Sequence, residues 1–250
     1  FNGASTGTGG EIRDRMGGGV GSWPLAGTAV SMPAYPRPDS ADKPSSDSTP
    51  RWSNERSQQP WEKLLPARQW LYQTPEQILI KASNGASDFG NKFGQPLICG
   101  SVLTFEHEER DETYAYDKVI MLAGGVGYGT RRDCLKGQPE KGNKVVVMGG
   151  ENYRIGLGGG SVSSVDTGRY ASGIELNAVQ RANPEMQKRT YNVVRALCEE
   201  DENPIVSIHD HGSAGHVNCL SELVEECGGL IHMDKLPIGD TTLSAKEIIA

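Results

Sequence analysis

GASTGTGGEIRD, residues 3–14, is the most informative stretch of this chain. Glycines and small hydroxyl residues let a backbone approach a phosphate closely and direct its N–H groups toward it. Arg13 and Asp14 then add a charge clamp and a hard oxygen ligand suited to Mg²⁺. The stretch lacks the lysine of a P-loop and does not fit the GxGxxG spacing of a Rossmann fingerprint. We therefore predict a phosphate-facing loop, with a plain turn as the alternative.

The bulk composition describes an acidic chain that is rich in glycine. The chain has 250 residues, a net charge of −7 and 32 glycines, and its pI is near 5.3. Its length suits one large domain or two modest ones. The charge argues against a nucleic-acid footprint, which would show a basic patch. No apolar run approaches the roughly 20 residues needed to cross a bilayer, and no targeting peptide is visible.

The five cysteines are odd in number and include no CxxC pair. They predict reduced, mostly buried thiols in a cytoplasmic protein. The chain begins at Phe1 inside the glycine-rich stretch and ends at Ala250 inside an expected helix. We therefore expect a segment of a longer protein.

Hydrophobic patterning predicts an α/β or α+β architecture. Helices are expected from Pro75, from Pro184 to about Cys198 with Asn183 as cap, and from Val217 to Glu226. Buried strands are expected at Pro96–Leu103, Val119–Gly124, Val145–Gly150 and Pro204–Ile208. The polar segment 136–143 predicts a boundary between domains at 1–140 and 141–250. Residues 37–60, with ten Ser or Pro in 24 positions, predict a mobile surface insertion, after which 61–72 dock again.

Two further stretches could face a ligand. Backbone groups at Cys99, Gly100 and Ser101 end a predicted strand and could rim a nucleotide pocket, although a simple helix–strand connection is the alternative. The glycine-rich loop 156–160 follows an apolar segment and could face substrate phosphate or merely pack.

Polar residues in the second half suggest a substrate contact and a metal ligand. Gln180 precedes a helix and could bond a substrate amide, or it could be an ordinary surface residue. Asp210 lies in IHDHGSAGH, residues 208–216, with three histidines. That spacing matches no common zinc motif. Since Asp210 is expected at the end of a strand, we favour Mg²⁺ ligation by Asp210 over zinc binding by the histidines.

Taken in order, these motifs resemble the phosphoribosylformylglycinamidine synthase family, also called formylglycinamide ribonucleotide amidotransferase, in its large single-chain form. The resemblance covers nearly the whole chain except about 37–60. It is carried by GTGGEIRD, KFGQP, MLAGG, YRIGLGGG, VQRANPEM and IHDHG. Each motif is moderately specific, whereas their joint order and spacing are very specific.

The resemblance implies an aminoimidazole-ribonucleotide-synthetase-like N-terminal domain, whose strands join a shared barrel, followed by its C-terminal α/β domain, both partial. It implies a cytoplasmic ligase that converts formylglycinamide ribonucleotide, glutamine and ATP to the amidine. ATP phosphorylates the amide oxygen, and ammonia from a glutaminase domain elsewhere displaces the phosphate. The resemblance also implies that Asp14 and Asp210 bind Mg²⁺ and that Arg13 and Gln180 contact the substrate. The implied ATP contacts are Gly3, Ala4, Ser5, Thr6, Gly7, Thr8, Gly9, Gly10, Glu11, Ile12, Arg13, Asp14, Cys99, Gly100 and Ser101.

Departures from the family pattern leave alternatives open. The family's catalytic histidine motif is expected before Gly3 and a second metal motif after Ala250, so no catalytic residue is expected here. Ser213 and Ala214 replace the usual Ala-Gly, which puts the geometry near Asp210 in doubt. One alternative is another superfamily member, such as aminoimidazole ribonucleotide synthetase, although those lack VQRANPEM. Another is a nucleotide-binding module without turnover, which a reading frame starting at residue 1 would favour.

Overall fold

The computed structural model describes residues 1–37, 59–70, 73–154, 161–162, 165–166, 168–178, 183–212 and 215–250. Most of the predicted insertion and the loop 156–160 therefore lie outside the described residues. The helices with described bounds are α1 Asn2–Met16, α2 Pro75–Phe93, α3 Ser172–Ala178, α4 Pro184–Cys198, α5 Gly215–Leu223 and α6 Ala245–Ile249. The strands are β1 Trp23–Met32, β2 Leu97–Val102, β3 Glu106–Glu109, β4 Glu112–Ala115 and β5 Ile120–Tyr128.

The glycine-rich stretch is helix α1, so the prediction of a loop over residues 3–14 is wrong. Glycine is a poor helix former, but tertiary packing overrides that preference. The small residues let α1 lie close against α2: a methyl group at Gly9 would stand 2.7 Å from the Phe89 ring. Ile12 and Met16 then join Phe89 in the hydrophobic core, together with Phe93 and Tyr191.

A three-stranded sheet in the order β2-β1-β5 supports α1. β1 pairs in parallel with β2 and antiparallel with β5. One face packs against α1, while large apolar side chains stay exposed on the strands, among them Ile98, Leu122 and Val126. The predicted strands at Pro96–Leu103 and Val119–Gly124 are confirmed as β2 and β5, and β1 was not predicted.

A buried polar network joins α1 to this sheet. Arg15 pairs with Glu11 one turn away and donates to the side-chain oxygen of Gln95. It also donates to the main-chain oxygens of Ala26 in β1 and Val126 in β5. Gln95, fully buried just after α2, donates to Glu11 at 2.7 Å. The network therefore fixes α1 against α2, β1 and β5 at once.

A second network connects the two halves of the chain. Asp133 is buried and accepts hydrogen bonds from Arg132, Thr130 and Asn203. The Arg132 guanidinium also donates to the carbonyl of Cys198 at the end of α4, at 2.6 Å. These bonds, from Arg132 first, lower the pKa of Asp133 to about 2. The carboxylate therefore remains ionised while it holds the end of α4 against the first half.

The β3–β4 hairpin lies next to the place where the predicted insertion begins. Its turn is formed by Arg110 and Asp111, both with positive φ, as a tight hairpin turn requires. Glu106 at the start of β3 accepts from Arg37 and Arg68. Because Arg37 is itself buried, this pairing satisfies a charge that would otherwise be costly to bury.

The helix predictions are confirmed, whereas two strand predictions in the second half are wrong. α2 begins at Pro75 as predicted, α4 spans Pro184–Cys198 with Asn183 capping it, and α5 lies close to its predicted place. Residues 145–150 and 204–208 form no strand, and their apolar side chains are largely exposed or partly exposed. Hydrophobicity alone therefore misjudged both their conformation and their burial.

The cysteine prediction needs one correction. All five cysteines are free, but only Cys198 and Cys219 are buried, so the expectation of mostly buried thiols is wrong. Across the described residues, no helix combines the length and the hydrophobicity needed to cross a membrane.

The close packing of α1 predicts opposite effects at two neighbouring glycines. Gly9→Ala should destabilise the fold by about 2 kcal/mol, because its methyl group meets the Phe89 ring. Gly10→Ala, whose methyl group would meet only the far end of Arg13 at 3.7 Å, should stabilise α1 by about 0.5–1 kcal/mol. Urea unfolding of the three proteins measures both changes, and equal effects at the two positions would contradict the packing.

The Asp133 network predicts a specific loss of stability in acid. The folded pKa of about 2 lies below the ordinary value of 3.8. The contribution of Asp133 is therefore complete above the unfolded pKa and is lost as pH falls through the folded one. Asp133→Asn should cost on the order of 2 kcal/mol at neutral pH, and the difference from wild type should shrink between about pH 4 and 2. Unfolding measured across pH tests this, and a difference independent of pH would contradict it.

Candidate functional site

Two acidic residues far apart in sequence meet at the edge of α1. Asp14 lies in the last turn of α1, and Asp210 lies in the irregular segment before α5. Burial raises the pKa of Asp14 above its usual value, and the charge of Asp210 and a hydrogen bond between the two carboxyl groups raise it further. Arg13 and His209 act in the opposite direction. A negative charge on Asp210 therefore makes ionisation of Asp14 less favourable.

Arg13 is the cation of this site. Burial lowers the pKa of its guanidinium, while the charges of Asp210 and then Asp14 oppose that shift. Gln187 of α4 accepts from Arg13 Nη1 at 3.5 Å. Helices α1 and α4 thus meet at this side chain.

The histidines of IHDHGSAGH pack beside the two carboxyl groups. His209 Nε2 contacts the carboxylate of Glu222 in α5, and its Nδ1 lies 3.0 Å from the carbonyl oxygen of Asp210. His211 Nε2 and His216 Nδ1 lie 2.8 Å apart. Burial, and then His216, lowers the pKa of His211, and burial lowers that of His216. The His211–His216 pair is therefore neutral at neutral pH.

The donor set at Asp14 and Asp210 fits Mg²⁺. Mg²⁺ prefers oxygen ligands and is usually held by one or two carboxylates together with substrate phosphates and water. Within the described ranges, no group of three or more His, Cys, Asp or Glu residues is arranged to hold a metal. A cation between Asp14 and Asp210 would therefore draw its remaining ligands from outside the chain, and it would relieve the repulsion that raises the pKa of Asp14.

The helical form of residues 3–14 changes which of the predicted ATP contacts can act together. At 1.5 Å per residue, Gly3 and Asp14 lie about 16 Å apart along α1, so they cannot cradle one phosphate group. The amide groups inside α1 bond within the helix, so they are not available to a phosphate. Ser5, Thr8, Gly9 and Ile12 are buried against the interior.

The remaining predicted site residues are scattered. Cys99, Gly100 and Ser101 lie exposed on the edge strand β2, where the Cys99 thiol donates to Thr28 Oγ1 at 3.2 Å. Gln180 and the departures at Ser213 and Ala214 lie outside the described residues. Asp210 does not end a strand as expected, since residues 204–210 are irregular.

Gln187 and Glu222 were missed by sequence reasoning. Gln187 could have been found, because it occupies the same helical stripe as Tyr191, Val194 and Cys198, all of them buried. A polar side chain on a buried stripe needs a partner. Glu222 carries no such signal, since an exposed glutamate in a short helix is ordinary.

The chain is similar to known proteins over nearly its whole length. Residues 140–249 match the family described as AIR synthase related protein, C-terminal domain. Phosphoribosylformylglycinamidine synthase of Dictyostelium discoideum is 40% identical over 260 residues, which is 99% of this chain and 18% of that protein. The synthase of Homo sapiens is 38% identical over 257 residues, with the same coverage of 99% and 18%. The chain thus spans about a fifth of the length of the curated relatives it matches.

Solved structures show the same fold. The structure described as T. maritima PurL complexed with FGAR matches 100% of this chain and 33% of that chain, with a TM-score of 0.60 and 21% identity. The structure described as T. maritima PurL complexed with ATP matches with a TM-score of 0.53, at 19% identity over 100% of this chain and 31% of that one. The resemblance to phosphoribosylformylglycinamidine synthases and the mixed α/β fold class predicted from hydrophobic patterning are both confirmed.

The carboxyl pair predicts that the ionisation of Asp14 depends on the charge of Asp210. Asp210→Asn should lower the pKa of Asp14, because it removes a neighbouring charge, yet leave it above the usual value, because burial remains. Since a carboxyl group with a raised folded pKa costs stability as pH rises through that value, the variant should also unfold less readily above it. Carbon-detected NMR titration of the aspartates measures the shift. Asp88→Asn is the matched control, and an unchanged Asp14 pKa in Asp210→Asn would contradict the pairing.

Proposed function

We propose that this chain, similar over 99% of its length to phosphoribosylformylglycinamidine synthases, is part of an ATP- and glutamine-dependent ligase of de novo purine biosynthesis. The ligase would convert formylglycinamide ribonucleotide to the amidine, formylglycinamidine ribonucleotide. The observation that supports the proposal best is that Asp210 lies beside Arg13 and Asp14, although almost 200 residues separate it from them in sequence.

The chemistry requires positioning and charge neutralisation more than a covalent group on the protein. The γ-phosphoryl group of ATP passes to the amide oxygen of the substrate, and ammonia then displaces phosphate from that carbon. Phosphoryl transfer is accelerated chiefly by alignment and by groups that balance the charge on the phosphoryl oxygens. The buried Arg13 guanidinium is suited to bind such an oxygen or a substrate phosphate, because it can donate in a planar, bidentate manner.

Asp14 and Asp210 are the proposed ligands of Mg²⁺. When bound, this ion supplies charge neutralisation to the phosphates of ATP. The two carboxylates would hold the ion from α1 on one side and from the segment before α5 on the other. The repulsion that raises the pKa of Asp14 supports a cation between them.

The remaining site assignments stay proposals. ATP contacts are proposed along Gly3–Asp14 and at Cys99–Ser101, as the resemblance implies. Gln180 is proposed to contact the ribonucleotide. The division into domains at 1–140 and 141–250 is proposed from the polar segment between them. No catalytic residue is assigned within the chain, and ammonia is expected from a glutaminase domain elsewhere.

A cytoplasmic location is also part of the proposal. It is supported by five cysteines that are all free, as reducing conditions favour. One relative, from Arabidopsis thaliana, bears the name "Probable phosphoribosylformylglycinamidine synthase, chloroplastic/mitochondrial".

Turnover of the longer enzyme that contains this segment tests the proposal. Asp14→Asn and Asp210→Asn should each lower amidine formation by about 100-fold, because charge neutralisation at the phosphoryl group is lost. Glutamine hydrolysis should be unchanged, because it occurs in another domain. Asp88→Asn, an exposed pair with Lys92 in α2, is the control and should leave both activities intact. Near-normal amidine formation by both site variants would contradict the metal roles of Asp14 and Asp210. A wild-type enzyme that forms no amidine would contradict the proposed ligase function.

A further inference from the structure

We infer that Gln187 is a positioning residue that sets the direction of the Arg13 guanidinium in this site. The inference rests on the proposed function for its kinetic consequence, and on geometry for the contact itself. Gln187 lies in the first turns of α4 and is only 9% exposed. It is the side chain through which α4 reaches the turn of α1 that carries Arg13.

Both polar atoms of the Gln187 amide form hydrogen bonds with α1 close to Arg13. Its Nε2 donates to the main-chain oxygen of Gly9 at 2.9 Å, in a fully buried contact. Its Oε1 accepts from Arg13 Nη1 at 3.5 Å. In an α-helix the carbonyl of residue 9 is also the acceptor for the N–H of residue 13. Gln187 therefore touches the backbone turn that holds Arg13 and the far end of its side chain.

This geometry permits only one orientation of the amide. If the amide were flipped, its oxygen would face the carbonyl oxygen of Gly9 and its NH₂ group would face the guanidinium, which has no acceptor. Leaving a buried polar group without a partner costs about 1–3 kcal/mol. The Gly9 carbonyl thus fixes the amide, and the fixed oxygen attracts one edge of the guanidinium. The rest of that planar group is left to face Asp14 and Asp210.

Packing alone does not require glutamine at this position. Tyr191, Val194 and Cys198 continue the same buried stripe of α4 with apolar or weakly polar side chains. A leucine or methionine would fill a similar volume without the cost of burying an amide. The amide is compensated by its two hydrogen bonds, and both serve the placement of Arg13. Since α4 also contacts α2 through Tyr191 and Phe93, the orienting group is itself firmly held.

A double-variant cycle in the longer enzyme tests this role, with ammonium as the nitrogen donor. Gln187→Leu should lower kcat/KM for formylglycinamide ribonucleotide about tenfold, since small misplacements of a binding group are costly. In an Arg13→Lys background, where the planar guanidinium is already lost, Gln187→Leu should lower kcat/KM less than twofold. Val194→Ala is the matched control from the same face of α4, fully buried. It should lower the melting temperature but leave kcat/KM within twofold.

Three results would overturn the inference: an equal kinetic effect of Gln187→Leu in both backgrounds, no effect in either, or the same loss in Val194→Ala. Unfolding of the same four proteins of the cycle gives a readout that does not need turnover. There, Gln187→Leu should reduce the folding equilibrium constant about threefold less in the Arg13→Lys background than in wild type, as expected for directly bonded side chains. Additive changes would overturn the contact, whereas an inactive wild-type enzyme with non-additive unfolding would refute the proposed function and leave the contact standing.

Discussion

The burial of the Arg15 charge is the constraint on which the rest of the structure depends. A guanidinium removed from water must be paired and hydrogen-bonded, or it destabilises the fold by several kcal/mol. Glu11, Gln95 and two strand carbonyls supply these partners. They can do so only where the backbone approaches closely, because a methyl group at Gly125 would stand 2.6 Å from Arg15 Nη1. The register of α1 on the sheet follows from this contact.

That register also decides where the functional side chains point. On a helix of 3.6 residues per turn, Glu11 and Arg15 share one side, while Arg13 falls on the opposite side. The pairing of Arg15 with the sheet therefore turns Arg13 toward α4 and the segment before α5. The motifs that resemble the synthase family contain both sets of residues. GTGGEIRD holds Glu11, Arg13 and Asp14, KFGQP holds Gln95, and MLAGG ends at Gly125. Much of their fixed spacing thus serves packing rather than ligand contact.

Sequence reasoning succeeded where local signals and tertiary structure agree. Prolines and caps mark the starts of α2 and α4, and tertiary contacts keep both helices there. It failed at α1, because a run of glycine, serine and threonine favours a loop unless a neighbouring helix packs tightly against it. It failed again at 145–150, where a short apolar run predicts a buried strand but the valine side chains are exposed. Asp14 and Asp210 were each selected as metal ligands from sequence, but only the fold brings them together. Gln187 was overlooked because its partners lie 178 and 174 residues away.

The balance of charge at the site argues for a particular order of events. Two carboxylates face one guanidinium, and the pKa values of His211 and His216 are lowered, so this imidazole pair adds no positive charge at neutral pH. With both carboxyl groups ionised, the site is negative and would repel a polyphosphate. A divalent cation reverses that sign, and Mg²⁺ characteristically retains positions for phosphate oxygens. In the proposed ligase, nucleotide and cation would therefore enter together, and the Arg13 guanidinium would contact an anionic group beside them. Orientation of Arg13 by an uncharged partner is consistent with this arrangement, because a carboxylate at position 187 would add a third negative charge to a site that is proposed to bind anionic groups.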